Sequence, residues 1–577
     1  MSYFPDDIFY GSTGPHDADI MIIGESWGAT ENAKKLAFQG ESGKTEMRER
    51  LLPECNVDPD KCYMTNVIPA HPGGNDMQQF FYRTKQARAE GSLQLRGLFP
   101  KPILVESLDR LRQQILAVKP KIIIGFGNYC LWALTEDCFS IGDENGYKIP
   151  TGIISWRGSQ LYTSSEMGGT PYLPTIHPAA YLRNWAWRYQ VKHDIRQRLP
   201  AVYDGWGGPN YQFLVRPSFE EAVHCLEGLV ESLHNGLITK LAADIETRRR
   251  HIACISIAWD SVSAICIPLM VTAEPHHYWS EEQELVIIGL LAQVLGHPKA
   301  EVVGQNFLYD DQYIALYWMF FCRVKNDTMI KHHVCWPGTP RGLHYLSSMY
   351  CDYHRYWKDE SKNWNPKVGE EQLWVYCCKD SVTTYEVDTE LDVLIDGLNL
   401  RSQYEFQMRQ WYMIRDMMNR GVLINQQRRV DAAFELGAEL AKHDEYLERL
   451  IPPDVWPRDP KKSPWPSSPK QMMAIFYDIL DQKEIKIRGK RTTNDTALEI
   501  IGKREPLLEP ITTALRERRS LGVFVSTFTQ AKLDPDGRMR SSWDPSGTET
   551  YRWNSRKNAF DRGANLQNIP KGVDLDG

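Results

Sequence analysis

No stretch of this sequence approaches the roughly 18 consecutive apolar residues that a membrane span needs. Its N-terminus, MSYFPDDIFYGSTGPHDAD, is acidic and has no apolar signal core. Export and membrane insertion are therefore not expected, and the cytoplasm is the expected compartment. The 12 cysteines include no C-x-x-C pair, and their closest neighbours are Cys377 and Cys378, so nothing points to a zinc or iron–sulfur site. Reduced thiols are the plain reading. Internal repeats and low-complexity tracts are also missing, although PRDPKKSPWPSSPK at 457–470 reads as a Pro/Ser/Lys loop. Basic charge is in short supply: 67 Lys and Arg face 74 Asp and Glu, a net charge of −7. That balance argues against a chain coated for nonspecific nucleic-acid binding, but it is uneven. Residues 481–577 carry 18 basic against 14 acidic residues, net +4.

What is present is enough apolar residue for large cores, 42% of 577 residues with 18 Trp and 27 Tyr. That length predicts about three to five folded units. ADIMIIG (18–24) and KPKIIIGFG (119–127) are short β-branched runs that end in glycine before helix-like stretches, the pattern of strands in an open parallel sheet. An α/β segment extends from there through HPAAYLRN (177–184). PAVYDGWGGPNY (200–211) has no period and reads as a connector, which sets a boundary near 205. Beyond it, LAADIE (241–246), ACISIAWD (253–260) and SAICIPLM (263–270) are spaced as hairpin-linked strands. EEQELVIIGLLAQVLG (281–296) has helical spacing before another buried strand, EVVGQNF. After about 395 the sequence is mostly helical, with EFQMRQWYMIRDMMNRG (405–421) ending on a C-cap glycine.

Four acids are the candidates for chemistry. Period-two alternation in LAADIET puts Asp244 and Glu246 on one face of a strand end, where two carboxylates repel unless they are solvated or share a cation. Asp310 follows another apolar strand in GQNFLYDD, and Asp380 lies in YCCKD on a helical stretch. Four acids from three separated elements suit a hard cation with oxygen ligands.

The series D-I-E, G-Q-N-x-x-Y-D and Y-x-x-x-D, in that order, resembles the three motifs of the DEDDy 3′→5′ proofreading exonucleases, which have an RNase H-like fold. The resemblance implies that Asp244, Glu246, Asp310 and Asp380 bind two Mg²⁺ or Mn²⁺ ions, one activating water and the other stabilising the departing 3′ oxygen. It also implies that Tyr376 positions the water and that Asn306 contacts the substrate strand or braces its motif. Tyr376 and Asp380 lie one helical turn apart and share a face. Asp327, in NDTM, also fits the family pattern.

Residues 401–577 resemble the opening of a family A DNA polymerase. YEFQMRQWYMIRDMMNRGVLIN, SPKQMMAIFYDIL and KRTTNDTALEII are similar to the entry helix and to the segment leading into the thumb. GTETYRWNS (547–555) and NLQNIP (565–570) are similar to T-x-T-G-R-L-S-S and P-N-L-Q-N-I-P before the palm. Tyr551 stands where the family has glycine, and FDRGA (560–564) is insertion-like. Arg538, Arg540, Arg552, Arg556 and Lys557, with Gln567 and Asn568, offer cations and amides to phosphates and minor-groove base edges. The family's catalytic palm and fingers motifs would lie beyond KGVDLDG. The expectation is that this polypeptide alone does not polymerise DNA, being either a cut chain or half of a split polymerase whose second chain carries the palm and fingers.

GESWGATENAKKLAFQGESGKTEMRERL (24–51), YMTNVIPAHPGGN and LPTIHPAAYLRN resemble the uracil-DNA glycosylase superfamily over about residues 17–199, nearest the family with a G-E-x-P-G loop. By resemblance, Glu25 belongs to the loop that grips uracil, and His177 to the loop that stabilises the departing uracil anion. Ser26-Trp27 replace Ala-Pro, and Ala70 stands where an iron–sulfur cysteine would fall, so no cluster is expected. Uracil excision and a DNA-holding or uracil-sensing module without chemistry both stay open.

The expected architecture is multi-domain, α/β and α+β: a glycosylase-like α/β sandwich (1–205), an RNase H-like exonuclease domain (206–400) and a mainly helical partial thumb and palm (401–577). The combination resembles certain phage DNA polymerases and implies a replication protein with Mg²⁺-dependent proofreading, acting on primer-template and single-stranded 3′ ends. A noncatalytic primer-template scaffold and a free-standing 3′→5′ exonuclease are the alternatives.

Overall fold

The β-branched runs of the first segment build an open sheet: β1 (Ile20–Ser26), β2 (Cys62–Ile68), β3 (Ile122–Phe126), β4 (Leu161–Tyr162) and β5 (Pro171–Thr175). In this computed structural model, which describes residues 2–136, 150–274, 276–362, 369–452, 455–456, 465–487 and 489–569, the order is β2-β1-β3-β5-β4. All neighbours are parallel except β4, which runs antiparallel to β5. Alternation sends Met21, Ile23 and Ile123 into a core shared with Leu104, Leu111 and Ile115 of the helix Pro102–Val118. Ile22, Ile122 and Ile124 enter a second core with Val191 and Ile195 of the helix Ala186–Arg198. Helices thus cover both faces, as a parallel sheet requires.

The second sheet comprises β6 (Gln212–Leu214), β7 (Lys240–Arg248), β8 (His251–Ala258), β9 (Ser263–Pro268), β10 (Glu301–Gly304) and β11 (Val324–Asp327). Its order is β11-β10-β7-β8-β9-β6. β7, β8 and β9 form the expected antiparallel hairpins, while β10 and β11 add in parallel beside β7. The helix Glu281–Leu295 starts with a capping box between Ser280 and Gln283. The long helix Glu371–Gly397 packs on the sheet through Leu373, Trp374, Cys377, Cys378 and Val382.

The chain divides into two compact units. Both sheets belong to the first, Met1–Phe307 with Cys322–Tyr404; the second comprises Leu308–Phe321 and Glu405–Gly577. The second unit is mainly helical. Its helices Gln426–Leu450, Asp495–Arg504 and Glu509–Phe524 close on Leu447, Leu498, Ile501 and Leu515, with Trp465 and Phe476 between them. The helix Arg401–Arg420 ends as expected at Gly421, φ +62°, where a Cβ would meet Arg540 Cγ at 2.5 Å. FDRGA packs within this unit: Phe560 lies 4.7 Å from the ring of Tyr313 on the helix Leu308–Tyr317. Tyr313 also donates to Ala559 O at 3.0 Å. Tyr551 has φ +60°, so the backbone keeps a glycine-like conformation where the polymerase pattern has glycine. The loop 457–470 up to residue 464, and KGVDLDG, lie outside the described residues.

Candidate active site

Asp244 and Glu246 alternate with the buried Ala243 and Ile245 on β7, and a bulge follows Glu246. The helix Glu371–Gly397 brings Asp380 to them, so that one carboxylate oxygen from each of the three lies within 4.8 Å of the others. Hard oxygen donors at this spacing fit a divalent cation. Without one, burial pushes the Glu246 carboxyl well above the usual range, and Cys377 and Asp380 add to that rise. Helix and strand are tied directly behind the acids. Cys377 Sγ donates to Asp244 O at 3.4 Å, and Ser256, paired with Asp244 across the sheet, donates to Cys377 O at 2.8 Å.

Asp380 is gripped by two neighbours. Trp357 Nε1 donates to its Oδ1 at 2.6 Å, and the Lys358 ammonium pairs with its Oδ2. Lys358 also sits 4.9 Å from the ring centroid of Tyr376. Burial works against the lysine's charge, yet Asp380, Tyr376 and Asp244 hold its pKa well above the ordinary range. Tyr376, one turn before Asp380 and buried like it, has its phenol pushed up by burial first and then by Asp380.

Asp310 is buried near the start of the helix Leu308–Tyr317, in the second unit. Asn306 adopts φ +57°, and its N–H donates to Asp327 Oδ1 at 3.0 Å, while that of Phe307 reaches Oδ2 at 2.9 Å. Asp327 also caps the helix Thr328–Cys335 by accepting from Met329 N. It therefore braces the 306–307 turn. Burial raises its pKa to about 6 against these backbone bonds.

In the first sheet, Glu25 and His177 line one cavity of about 690 Å³ together with Trp27, Phe38, Asn66 and Arg183. Glu25 accepts from Tyr129 N at 3.0 Å, and burial pushes its carboxyl up to about 7. Ala179 N donates to His177 Nδ1 at 3.2 Å, so the ring is neutral with its proton on Nε2; burial and then Arg183 bring its pKa down to about 4. Asn66 donates to Ser26 O, while its buried Oδ1 has no partner. Phe38 is held at φ +54°.

Residues 222–396 match the family model for 3′-5′ exonuclease, and residues 11–199 match the uracil DNA glycosylase superfamily. The clustered acids stand in a 3′-5′ exonuclease domain. Over 97% of its length the chain is similar, at 21% identity, to the DNA polymerase of Bacillus phage SP01, of which it spans 63%. Among solved structures, the POL domain of Pol1 from M. smegmatis, in complex with DNA primer-template and dNTP, is similar with a TM-score of 0.44 and 18% identity. That likeness covers 63% of this chain and 56% of that one.

The exonuclease domain thus brings Asp244, Glu246, Tyr376 and Asp380 to one place, and the glycosylase-superfamily domain brings Glu25 and His177 to another. In the second unit, Arg552, Arg556, Lys557 and Asn568 are exposed. Arg538 spends its Nη1 on Arg420 O and Gly421 O, and Arg540 pairs with Asp534 and Asp536. Gln567 is spoken for locally: its Oε1 accepts from Ser555 N at 3.0 Å and its Nε2 donates to Trp553 O at 2.6 Å. Sequence reasoning missed Trp357 and Lys358, which belong to no motif, and passed over Phe38 and Asn66 inside segments it had otherwise singled out.

Proposed function

We propose that the chain is the proofreading part of a DNA-replication protein, a 3′→5′ exodeoxyribonuclease using two Mg²⁺ or Mn²⁺ ions. The observation that carries this reading is the trio Asp244, Glu246 and Asp380, within 4.8 Å of one another inside a 3′-5′ exonuclease domain. Asp310 is the fourth ligand of the set. Bound there, the ions would supply an activated water and neutralise charge on the departing 3′ oxygen. Tyr376, kept protonated by its surroundings, orients the attacking water through its phenol. Trp357 fixes the direction of Asp380, and Asn306 contacts the substrate strand.

The substrate is DNA, as primer-template or single-stranded 3′ end. Arg552, Arg556 and Lys557, helped by Arg538, meet its phosphates, and Asn568 reads base edges beside Gln567, whose amide braces residues 553 and 555. Domain limits near 205 and 400 separate a glycosylase-superfamily module, the exonuclease and a polymerase-like part. The phage source of the similar polymerase supports work in a host cell's cytoplasm. The Glu25–His177 cavity holds a base of the same DNA.

The test is a 5′-labelled primer-template with Mg²⁺, with and without the four dNTPs, followed by product length. Shortening that disappears in Asp244→Ala and in Asp310→Ala is expected. Shortening that survives both substitutions overturns the metal assignment.

A further inference from the structure

The irregular stretch between the helices Leu343–Tyr350 and Lys358–Lys362 is held on one side by the glycosylase-superfamily domain. Arg198, fully buried, donates from Nη2 to Ser348 O at 3.0 Å and from Nη1 to Cys351 O and Asp352 O at 2.9 and 2.6 Å. Gln160 and His354 exchange two bonds: Gln160 N to His354 O at 2.7 Å, and His354 N to Gln160 Oε1 at 3.2 Å. Tyr356 N–H donates to Ser159 Oγ at 3.1 Å, and its ring lies in that domain's core, 5.1 Å from Trp156. The next residue turns the other way. Trp357 enters the apolar cluster that holds Tyr376, and its indole N–H, with the Lys358 ammonium, meets Asp380.

We infer that the glycosylase-superfamily domain is a built-in positioning element of the exonuclease site, with Ser159 and Gln160 as positioning residues that set Trp357 on Asp380. This rests on the metal-site reading above. An indole has a single donor, so a displaced Trp357 cannot restore the bond by another atom. Groups that hydrogen-bond a ligating carboxylate set its direction, and their loss typically weakens metal binding 10- to 100-fold. Residues 354 and 356 are pinned by backbone donors and acceptors, so the fit at 357 follows from the first domain whatever base that domain holds.

The experiment labels the full chain with 5-fluorotryptophan and follows the ¹⁹F resonance of Trp357, identified by its loss in Trp357→Phe, during a Mg²⁺ titration. In Ser159→Ala/Gln160→Ala the Trp357 resonance is expected to move or broaden before Mg²⁺ is added, and the titration midpoint to rise about 10-fold. Ser159→Thr, which keeps the hydroxyl, should restore the parent spectrum. If the double variant does not fold, Gln160→Asn, which keeps the amide but withdraws its oxygen from His354 N, stands in for it and is expected to shift the Trp357 resonance and the midpoint in the same direction. An unchanged Trp357 resonance and midpoint in the clamp variants, while Asp380→Ala abolishes the Mg²⁺ response, overturns the inference alone. A Mg²⁺ response that survives Asp380→Ala overturns the metal-site reading, and this inference with it.

Discussion

Lys358 places a positive charge on the carboxylate that a divalent cation would use, and that pairing sets two expectations at the level of single side chains. In Lys358→Met the acids lose their resident counter-charge while Trp357 still holds Asp380. Mn²⁺ should then bind about 10-fold more tightly, a difference of about 1.4 kcal/mol, measured by titration calorimetry. Weaker binding would mean that the ammonium organises the site instead of competing for it. Asp244→Ala should lower 3′-end removal by about 10³-fold or more, since several kcal/mol of transition-state charge stabilisation depend on the ligand set. That Asp244 shares a face with Glu246, and Tyr376 with Asp380, was legible in the sequence because period two on β7 and a four-residue step on a helix fix which side chains lie together. Trp357 and Lys358 were not, because their approach to Asp380 depends on how an aperiodic stretch is routed between two domains. Phe38 and Asn66 were hidden for the same reason: a cavity wall is assembled from residues with no common spacing.

Two elements carry testable conformations. Tyr551 closes a turn in which its N–H donates to Thr548 O at 3.1 Å and Arg552 N–H to Thr548 Oγ1 at 2.9 Å, at φ +60°. Glycine takes this region freely, whereas a β-branched side chain is a steric outlier there. Tyr551→Val should therefore cost about 1–2 kcal/mol in a urea melt, while Tyr551→Gly should leave stability equal or higher. At the mouth of β1 and the start of the helix Pro178–Tyr181, Glu25 and His177 oppose each other in pH dependence. Glu25, raised from 4.5 to about 7, favours the folded state least above pH 7, so its contribution to stability falls between pH 4.5 and 7. His177, lowered from 6.5 to about 4, is neutral when folded, and its contribution is lost as pH falls from 6.5 through 4. Melting temperatures should thus rise from pH 4.5 to 6.5 more steeply in Glu25→Gln than in the parent, and less steeply in His177→Asn. Long strands and capped helices were readable beforehand, but β4 and β6, of two and three residues, are too short to show a period.

The largest departure from what local patterns convey is the joining of two sheets, each with the pattern of its own domain, into one compact unit. The connector 200–211 looks like a boundary because it is rich in Pro and Gly, yet Trp206 within it is buried and donates to Leu161 O at 2.5 Å. Buried polar pairing extends the union. Arg157 forms an ion pair with Asp194 and donates to Ser348 Oγ at 2.9 Å, and Arg198 satisfies three carbonyls of residues 348–352. Separating the sheets would take Ser348 Oγ from Arg157, which keeps Asp194, would take three carbonyls from Arg198, and would bring Tyr356 out of a core. A hydrogen bond to a charged group is worth about 1.5–3 kcal/mol, and burying an aromatic side chain about 1.5–3 kcal/mol more. A cut in the backbone does not change these terms. A site-specific protease sequence placed at the exposed 207–209 should therefore be cleaved to completion while the two fragments remain together on size-exclusion chromatography in ordinary buffer. Arg198→Ala in the same background should release the fragments at a lower urea concentration than the parent. Fragments that part as soon as the chain is cut would show that the connector, and not the buried network, holds the two sheets together.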